Sequence, residues 1–391
     1  MMRAYLDYNA TAPLRPEAAE AMARALILGG NPSSVHREGR AARAELETAR
    51  DSIAALVNVD PASVIFTSGG TEANNLALAQ TRNLECRTIL HSAIEHPAVS
   101  EPAAHQGLPV EILPVDGNGR LDLDAARKAI ETAPGPIFVS VMLANNETGT
   151  IQPVRELAHI VRQVGGVLHV DAVQAAGRII VNIQELGAHM LSLSSHKIGG
   201  PQGVGALILA EDRAFDPHMR GGGQERRRRA GTQNVAGLAG FGAAAKAVAA
   251  ELDEQAARLR DLRDGLEARL RTRAPDLMVF GAGAERIGNT SCFAAPGLDA
   301  ETLVMALDLE GVSVSSGAAC SSGKVTRSHV LSAMGVAEPL ARGAIRASLG
   351  WQTREQDIDR LVDAWTAAYD RALNHRERAH SQDTHSMAVG K

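Results

Sequence analysis

One repeated unit constrains the fold of this chain more than any other feature. A short apolar run is followed by small or polar residues and then by a helical pattern. Val64–Thr67 leads into Ser68-Gly-Gly-Thr71, and Glu72–Gln80 then reads as helix. Thr88–His91, Ile112–Val115, Ile137–Leu143, Val167–Val170, Met190–Leu193 and Gly205–Leu209 continue the series, with Ile137–Leu143 the strongest run. Strands alternating with helices at this spacing predict an α/β domain around a mainly parallel sheet. The pattern changes from about Ala243 to Arg273. There Leu252, Leu259, Leu262, Leu266 and Leu270 recur at helical spacing among charged residues, which predicts a long amphipathic helix leading out of the first domain. Beyond it, strand-like Asn289–Ala294, helix-like Ala300–Glu310 and strand-like Arg342–Leu349 predict a smaller α+β unit.

A chain of 391 residues is long for a single core and is expected to divide in two. Aromatic residues are only 3% of it, so the core must rest on Ala, Leu, Val and Ile. No uninterrupted apolar run approaches the roughly 18–20 residues that span a bilayer, and the start lacks the apolar stretch of a secretory signal. A net charge of -5 gives no reason to expect a nucleic-acid partner. Arg226–Arg229 has no interleaved aromatics and reads as a solvated or interface loop. Cys86, Cys292 and Cys320 are odd in number and contain no Cys-x-x-Cys pair, which argues against structural zinc and a disulfide framework. The expected setting is a reducing cytoplasm. His375, His380 and His385 are spaced five apart, share no helix face and are expected in a frayed tail rather than a metal site.

Several residues carry chemistry if the strands are placed correctly. Lys197, in Ser194-Ser-His-Lys, follows a strand and precedes two glycines. It is either a solvated surface charge or a partly desolvated amine able to form a Schiff base. Asp171 closes a strand at the edge where open α/β sheets bind ligands. Its carboxylate is either a helix N-cap or the anion that pyridoxal phosphate needs beside its ring nitrogen. Gln174 could then donate to the ring oxygen. Ser68-Gly-Gly-Thr71 offers backbone N–H groups to a phosphate, though it is neither a Walker loop nor a dinucleotide fingerprint. Cys320 lies among serines, glycines and alanines with no large apolar neighbour, which suits an accessible nucleophile. Cys86 and Cys292 lie in strand-like stretches and are expected in the core. Arg346, inside an apolar run, is either a structural ion-pair partner or a bidentate ligand for a substrate carboxylate.

These residues and the blocks around them resemble the cysteine desulfurases of the NifS/IscS type. The blocks are Tyr5–Thr11, Gly30–His36, Phe66–Asn75, Glu95–Val99, Ala144–Gly149, His169–Gln174, Ser194–Lys197, Arg229–Thr232 and the Cys320 loop, and the match runs on to Ser348–Gly350. The resemblance implies the type I fold of pyridoxal-phosphate enzymes, with a seven-stranded sheet in a large domain and a small α+β domain. It implies a large domain over 15–258, a small one from 1–14 and 259–375, and a disordered tail over 376–391. By the same resemblance Lys197 carries the cofactor, Asp171 partners the ring nitrogen, and His96 stacks on the ring and moves protons. Gly70, Thr71, Ser194 and His196 would hold the phosphate, with Thr232 contributed by the neighbouring subunit of a homodimer. Asn146 and Gln174 would contact the ring oxygen region, while Asn31, Asn146 and Arg346 would hold the L-cysteine substrate. Cys320 would carry the sulfur as a persulfide to an acceptor such as an iron–sulfur scaffold protein. No intrinsic metal is expected, although Cys320 could ligate a partner's cluster. Ala12 and Gln202 depart from the family pattern at positions without chemistry. A selenocysteine lyase or an aminotransferase of the same fold would share Lys197 and Asp171, the latter having no use for Cys320. A cofactor-binding subunit that only docks an acceptor would not need both Lys197 and Cys320.

Overall fold

The computed structural model describes residues 3–211, 215–316 and 327–389, with side chains described through residue 374. Its strands are β1 (Ala4–Tyr5), β2 (Val64–Thr67), β3 (Thr88–Ser92), β4 (Val110–Leu113), β5 (Ile137–Met142), β6 (Val167–Asp171) and β7 (Met190–Ser194). Then come β8 (Gly205–Leu209), β9 (Met278–Val279), β10 (Thr290–Ala294), β11 (Val312–Ser313), β12 (Ser315–Ser316) and β13 (Ile345–Ser348). The helices of the first half are α1 (Pro16–Ile27), α2 (Arg37–Leu56), α3 (Gly70–Asn83), α4 (Pro97–Ala104), α5 (Leu123–Thr132), α6 (Val154–Gln163) and α7 (Ile183–Leu186). The rest are α8 (Val235–Arg273), α9 (Ala300–Leu309), α10 (His329–Ala333), α11 (Glu338–Ala341) and α12 (Glu355–Val389).

Seven strands form the central sheet in the order β2-β8-β7-β6-β5-β3-β4. The pairs from β4 through β7 are parallel, and β8 runs antiparallel to both β7 and β2. Because β8 reverses between them, β2 points the same way as β7. The carboxyl ends of β2, β3, β5, β6 and β7 therefore reach one edge of the sheet. Most of these strands are buried at every residue, which is why they read as largely apolar runs, interrupted by Ser140, His169 and Ser192.

A second core gathers Leu6, Phe293, Ile345 and Trp365 with the end of α8. It is covered by an antiparallel sheet in the order β12-β13-β10-β9, and β1 pairs with β11 beside it. The expected strands around Asn289–Ala294 and Arg342–Leu349 are thus β10 and β13, and the expected helix at Ala300 is α9. The long helix α8 begins at Val235, earlier than the amphipathic pattern predicts, with the Asn234 side chain accepting from Gly237 N at 3.0 Å. Its first half is mostly Gly and Ala, with Leu238, Phe241 and Val248 in the core beside α1 and α2. Buried on several sides, that half carries no charged face to reveal its period. By length and composition α8 alone among the described helices could cross a membrane; here half of its apolar stretch is protein core.

Gly205 is where the strand ends meet. It pairs with Thr67 at the end of β2 and with Ser194 at the end of β7. A Cβ there would lie 2.6 Å from the Gly69 carbonyl carbon and 2.7 Å from the Leu193 oxygen, both backbone atoms that cannot swing aside. Gly205→Ala is expected to destabilise the fold by about 1–3 kcal/mol through forced separation of these strands. A thermal melt checks this, and an unchanged melting temperature contradicts it.

Candidate active site

Five strand ends deliver side chains to one cavity of about 230 Å³. The turn after β2 supplies Gly70 and Thr71, the turn after β3 supplies His96, and the segment after β5 supplies Asn146. Asp171 ends β6 and Gln174 follows it, while Ser194, His196 and Lys197 come from β7 and the short turn after it. All nine of these residues expected at the cofactor line the same space.

At one end of the cavity α3 starts at Gly70. Gly69, preceding it, offers no side chain to cap the first turn, so the N–H groups of that turn are directed at the cavity. A Cβ on Gly70 would lie 2.9 Å from Val173 Cγ2 and 3.3 Å from Ser194 Cβ, so glycine keeps this end open. The His196 ring is fixed by a 3.1 Å contact between its Nδ1 and Thr11 Oγ1. Burial lowers its pKa to about 4, helped by the charges of Lys197 and Arg178, and leaves the imidazole neutral at pH 7. Glu72 on the same turn accepts from Arg229 Nε at 2.8 Å.

Asp171 is held by two donors: Val173 N gives to Oδ1 at 2.9 Å, and Asn74 Nδ2 gives to Oδ2 at 2.7 Å. His96 N-caps α4, its Nδ1 accepting from Ala98 N at 3.0 Å. In the neutral ring the proton therefore sits on Nε2. Burial lowers the His96 pKa; Asp171 opposes this, and Lys197 and His329 add to it. Lys197 Nζ donates to the Asn9 oxygen at 2.6 Å and the Ala10 oxygen at 2.8 Å. Gln174 Nε2 donates to the same Asn9 oxygen at 3.0 Å, and its amide oxygen accepts from Arg178.

Not every expected residue reaches the cavity. Arg346 is 2% exposed and sits behind it, donating to Asp7 Oδ1 at 2.7 Å and to the Asn146 oxygen at 3.0 Å. The ion-pair reading of Arg346 is thus realised, while its buried Nε has no hydrogen-bond partner among the described residues. Asn31 is exposed, its Oδ1 accepting from Ser33 N at 2.9 Å, and Thr232 is exposed outside its own chain's cavity. Cys320 lies outside the described residues. Cys86 and Cys292 are buried as expected, and burial raises the Cys86 thiol to about 11. The arginine run is not one uniform loop. Arg226 and Arg227 are exposed, Arg229 pairs with Glu72, and the neighbouring Glu225 is buried against Arg50 at 2.9 Å.

Sequence reasoning missed Asn74, Arg178 and the carbonyls of Asn9 and Ala10. Asn74 lies within Phe66–Asn75, but only the phase of α3 shows that it faces Asp171. The carbonyls carry no side-chain signal.

An open anion cradle, a lysine, a carboxylate held by neutral donors and a neutral imidazole are together the donor set for a phosphorylated pyridine aldehyde. Fold and site define the class: residues 4–361 match the class-V aminotransferases, whose cofactor is pyridoxal phosphate. The chain is 45% identical to a cysteine desulfurase of Cereibacter sphaeroides, covering 96% of this chain and 98% of the relative. It is 43% identical to the cysteine desulfurase IscS of Dictyoglomus turgidum, over 92% of each. The solved structure of a NifS-like protein from Rickettsia africae superposes with a TM-score of 0.87 at 33% identity, covering 94% of this chain and 99% of that one. The chain belongs to the cysteine desulfurase family.

Below the site, Glu95 is fully buried and burial raises its carboxyl to about 8, opposed by donors from Ser92 and the Met142 N–H. A carboxyl that is more basic folded than unfolded holds its proton better in the folded state. Stability therefore falls as pH rises from about 4.5 to about 8. Glu95→Gln, neutral at every pH, is expected to lose less stability than the parent when urea denaturation is compared at pH 6 and pH 9. Equal losses in both proteins contradict the assignment.

Proposed function

We infer that this chain converts L-cysteine to L-alanine with pyridoxal phosphate and receives the sulfur on Cys320 as a persulfide. The observation that carries the reading is the single cavity joining Lys197, Asp171, His96 and the Gly70–Thr71 turn. Pyridoxal phosphate bound there supplies an electron-accepting ring conjugated to the substrate's α-carbon. Gly70, Thr71, Ser194 and His196 would hold its phosphate, and Lys197 would anchor it through Nζ. Asp171 would partner the ring nitrogen. The Gln174 amide donates one N–H to the Asn9 oxygen and would have the other for the ring oxygen, with Asn146 on the same cavity.

The Lys197 amine, which lines the cavity, would take the substrate's α-proton and return it. His96, with its proton on Nε2, can donate in the same space. The family resemblance assigns Asn31, Asn146 and Arg346 to the substrate; Asn146 lines the cavity, whereas Arg346 would meet the carboxylate only by giving up its pair with Asp7. The Cys320 thiolate attacks the substrate sulfur. An S–S bond forms, the C–S bond breaks, and its electron pair stays with carbon, which is protonated. L-cysteine and a thiol become L-alanine and a persulfide, with atoms and electrons balanced.

The finer reading is a homodimer in which the partner subunit's Thr232 completes the phosphate site; an exposed threonine outside its own cavity supports it. The acceptor is proposed to be an iron–sulfur scaffold protein, from the serine-rich sequence around Cys320, and the setting the cytoplasm. No membrane or nucleic-acid partner is proposed.

Cys320→Ala tests the core of the reading. The variant is expected to keep the absorbance of bound cofactor and its change on adding cysteine. Mass spectrometry should find no protein persulfide, and alanine formation should fall about 100-fold or more. Sulfide release at the parent rate, with a reductant present, contradicts it.

A further inference from the structure

Asp171 can hold a proton on a ring nitrogen only while it remains an unshared anion turned toward the cavity. One of its oxygens is fixed locally, by Val173 N–H two residues along the same chain. The other is fixed from a different element, by Asn74 on α3 at 2.7 Å. Asn74 is 1% exposed, lines the cavity and is not used by any step above. Its Oδ1 is buried with no hydrogen-bond partner among the described residues. The amide can face only one way, because the flipped form would set an oxygen against the Asp171 carboxylate. A buried carbonyl left unpaired is costly. The fold tolerates it at the residue whose other end is committed to Asp171.

We propose that Asn74 is a positioning residue that holds Asp171 as an unshared anion facing the cofactor ring. The choice of an amide matters. A cationic donor here would cancel the carboxylate charge, and an acid would share its proton. An amide steadies the anion without doing either. Asn74 also lies three residues after Thr71 on α3, so the two share a helix face about 4.5 Å apart along the axis. One turn of α3 thereby sets the phosphate grip and the ring-nitrogen grip in fixed relation. The titratable groups facing Asp171 are His96 and the buried Glu95, with Lys197 on the cavity wall.

The inference rests on Asp171 being the ring-nitrogen partner, so the experiment includes Asp171→Asn. Asn74→Ala, Asn74→Asp and Asp171→Asn are loaded with pyridoxal phosphate. Circular dichroism checks folding, and absorbance titrations give the cofactor dissociation constant and spectrum from pH 6 to pH 9. Asn74→Ala is expected to weaken cofactor binding about tenfold, the effect of one hydrogen bond to a charged group. Asn74→Asp keeps the shape, so it reports even if the alanine variant does not fold. Its spectrum should approach the parent at low pH, where one acid of the pair donates as the amide does, and depart from it as pH rises. Parent-like binding and spectra in both Asn74 variants, with Asp171→Asn altered, overturn the proposal. So does a change in Asn74→Asp that is the same at every pH, since that reports packing alone. If Asp171→Asn leaves the spectrum unaltered, the underlying reading of Asp171 fails instead, and this proposal with it.

Discussion

The parallel register from β3 to β7 places Met142 beside Asp171 and Asp171 beside Ser192, and so decides which residues end their strands at one edge. Parallel strands need crossovers, and each crossover here leaves the sheet at that edge. The residues in the turns at that edge, Thr71, His96, Asn146, Gln174 and Lys197, thus converge without being near one another in sequence. The reversed strand β8 serves the same end. By pairing with both β2 and β7 at Gly205, it brings the phosphate turn beside the lysine turn. A slip of one residue in any of these pairings would turn Asp171 or Ser194 to the opposite face.

The second constraint is a polar network from the start of the chain. Asn9 donates through Nδ2 to the Asn146 oxygen and to Thr290, accepts from Asn289, and gives its own carbonyl to Lys197 and Gln174. One residue ties the lysine of the large core to β10 of the small one. Asp7, two residues earlier, pairs with Arg346 of β13 at 2.7 Å. The N-terminal segment therefore acts as a strap across the site, positioned by groups from both cores. Breaking one partner of the buried Arg346–Asp7 pair would leave a charge without compensation and disturb the backbone of Asn146.

The parts of this arrangement that sequence makes legible are those with an unbroken local signature. Strands buried on both faces show as largely apolar runs, with Asp171 ending one and Lys197 in the turn after another. What stays hidden depends on relative placement. Asn74 faces Asp171 only because of the phase of α3, and the Asn9 carbonyl is a backbone group with no residue identity. The start of α8 is hidden because a helix buried on several sides lacks an amphipathic period. The arginine run looks uniform until Glu72 claims Arg229 while Arg226 and Arg227 stay exposed. Thr232 and Asn31 are legible through resemblance, yet the fold of one chain leaves both exposed.

The central claim is that strand ends of this sheet build a pyridoxal-phosphate site anchored on Lys197. Its most direct test is to reduce the cofactor-loaded protein with borohydride and locate the modified residue by peptide mass spectrometry. The account predicts a pyridoxyl group on the peptide containing Lys197 and on no other lysine in stoichiometric amount. Labelling of a different lysine, or none in a protein that binds the cofactor, would contradict it.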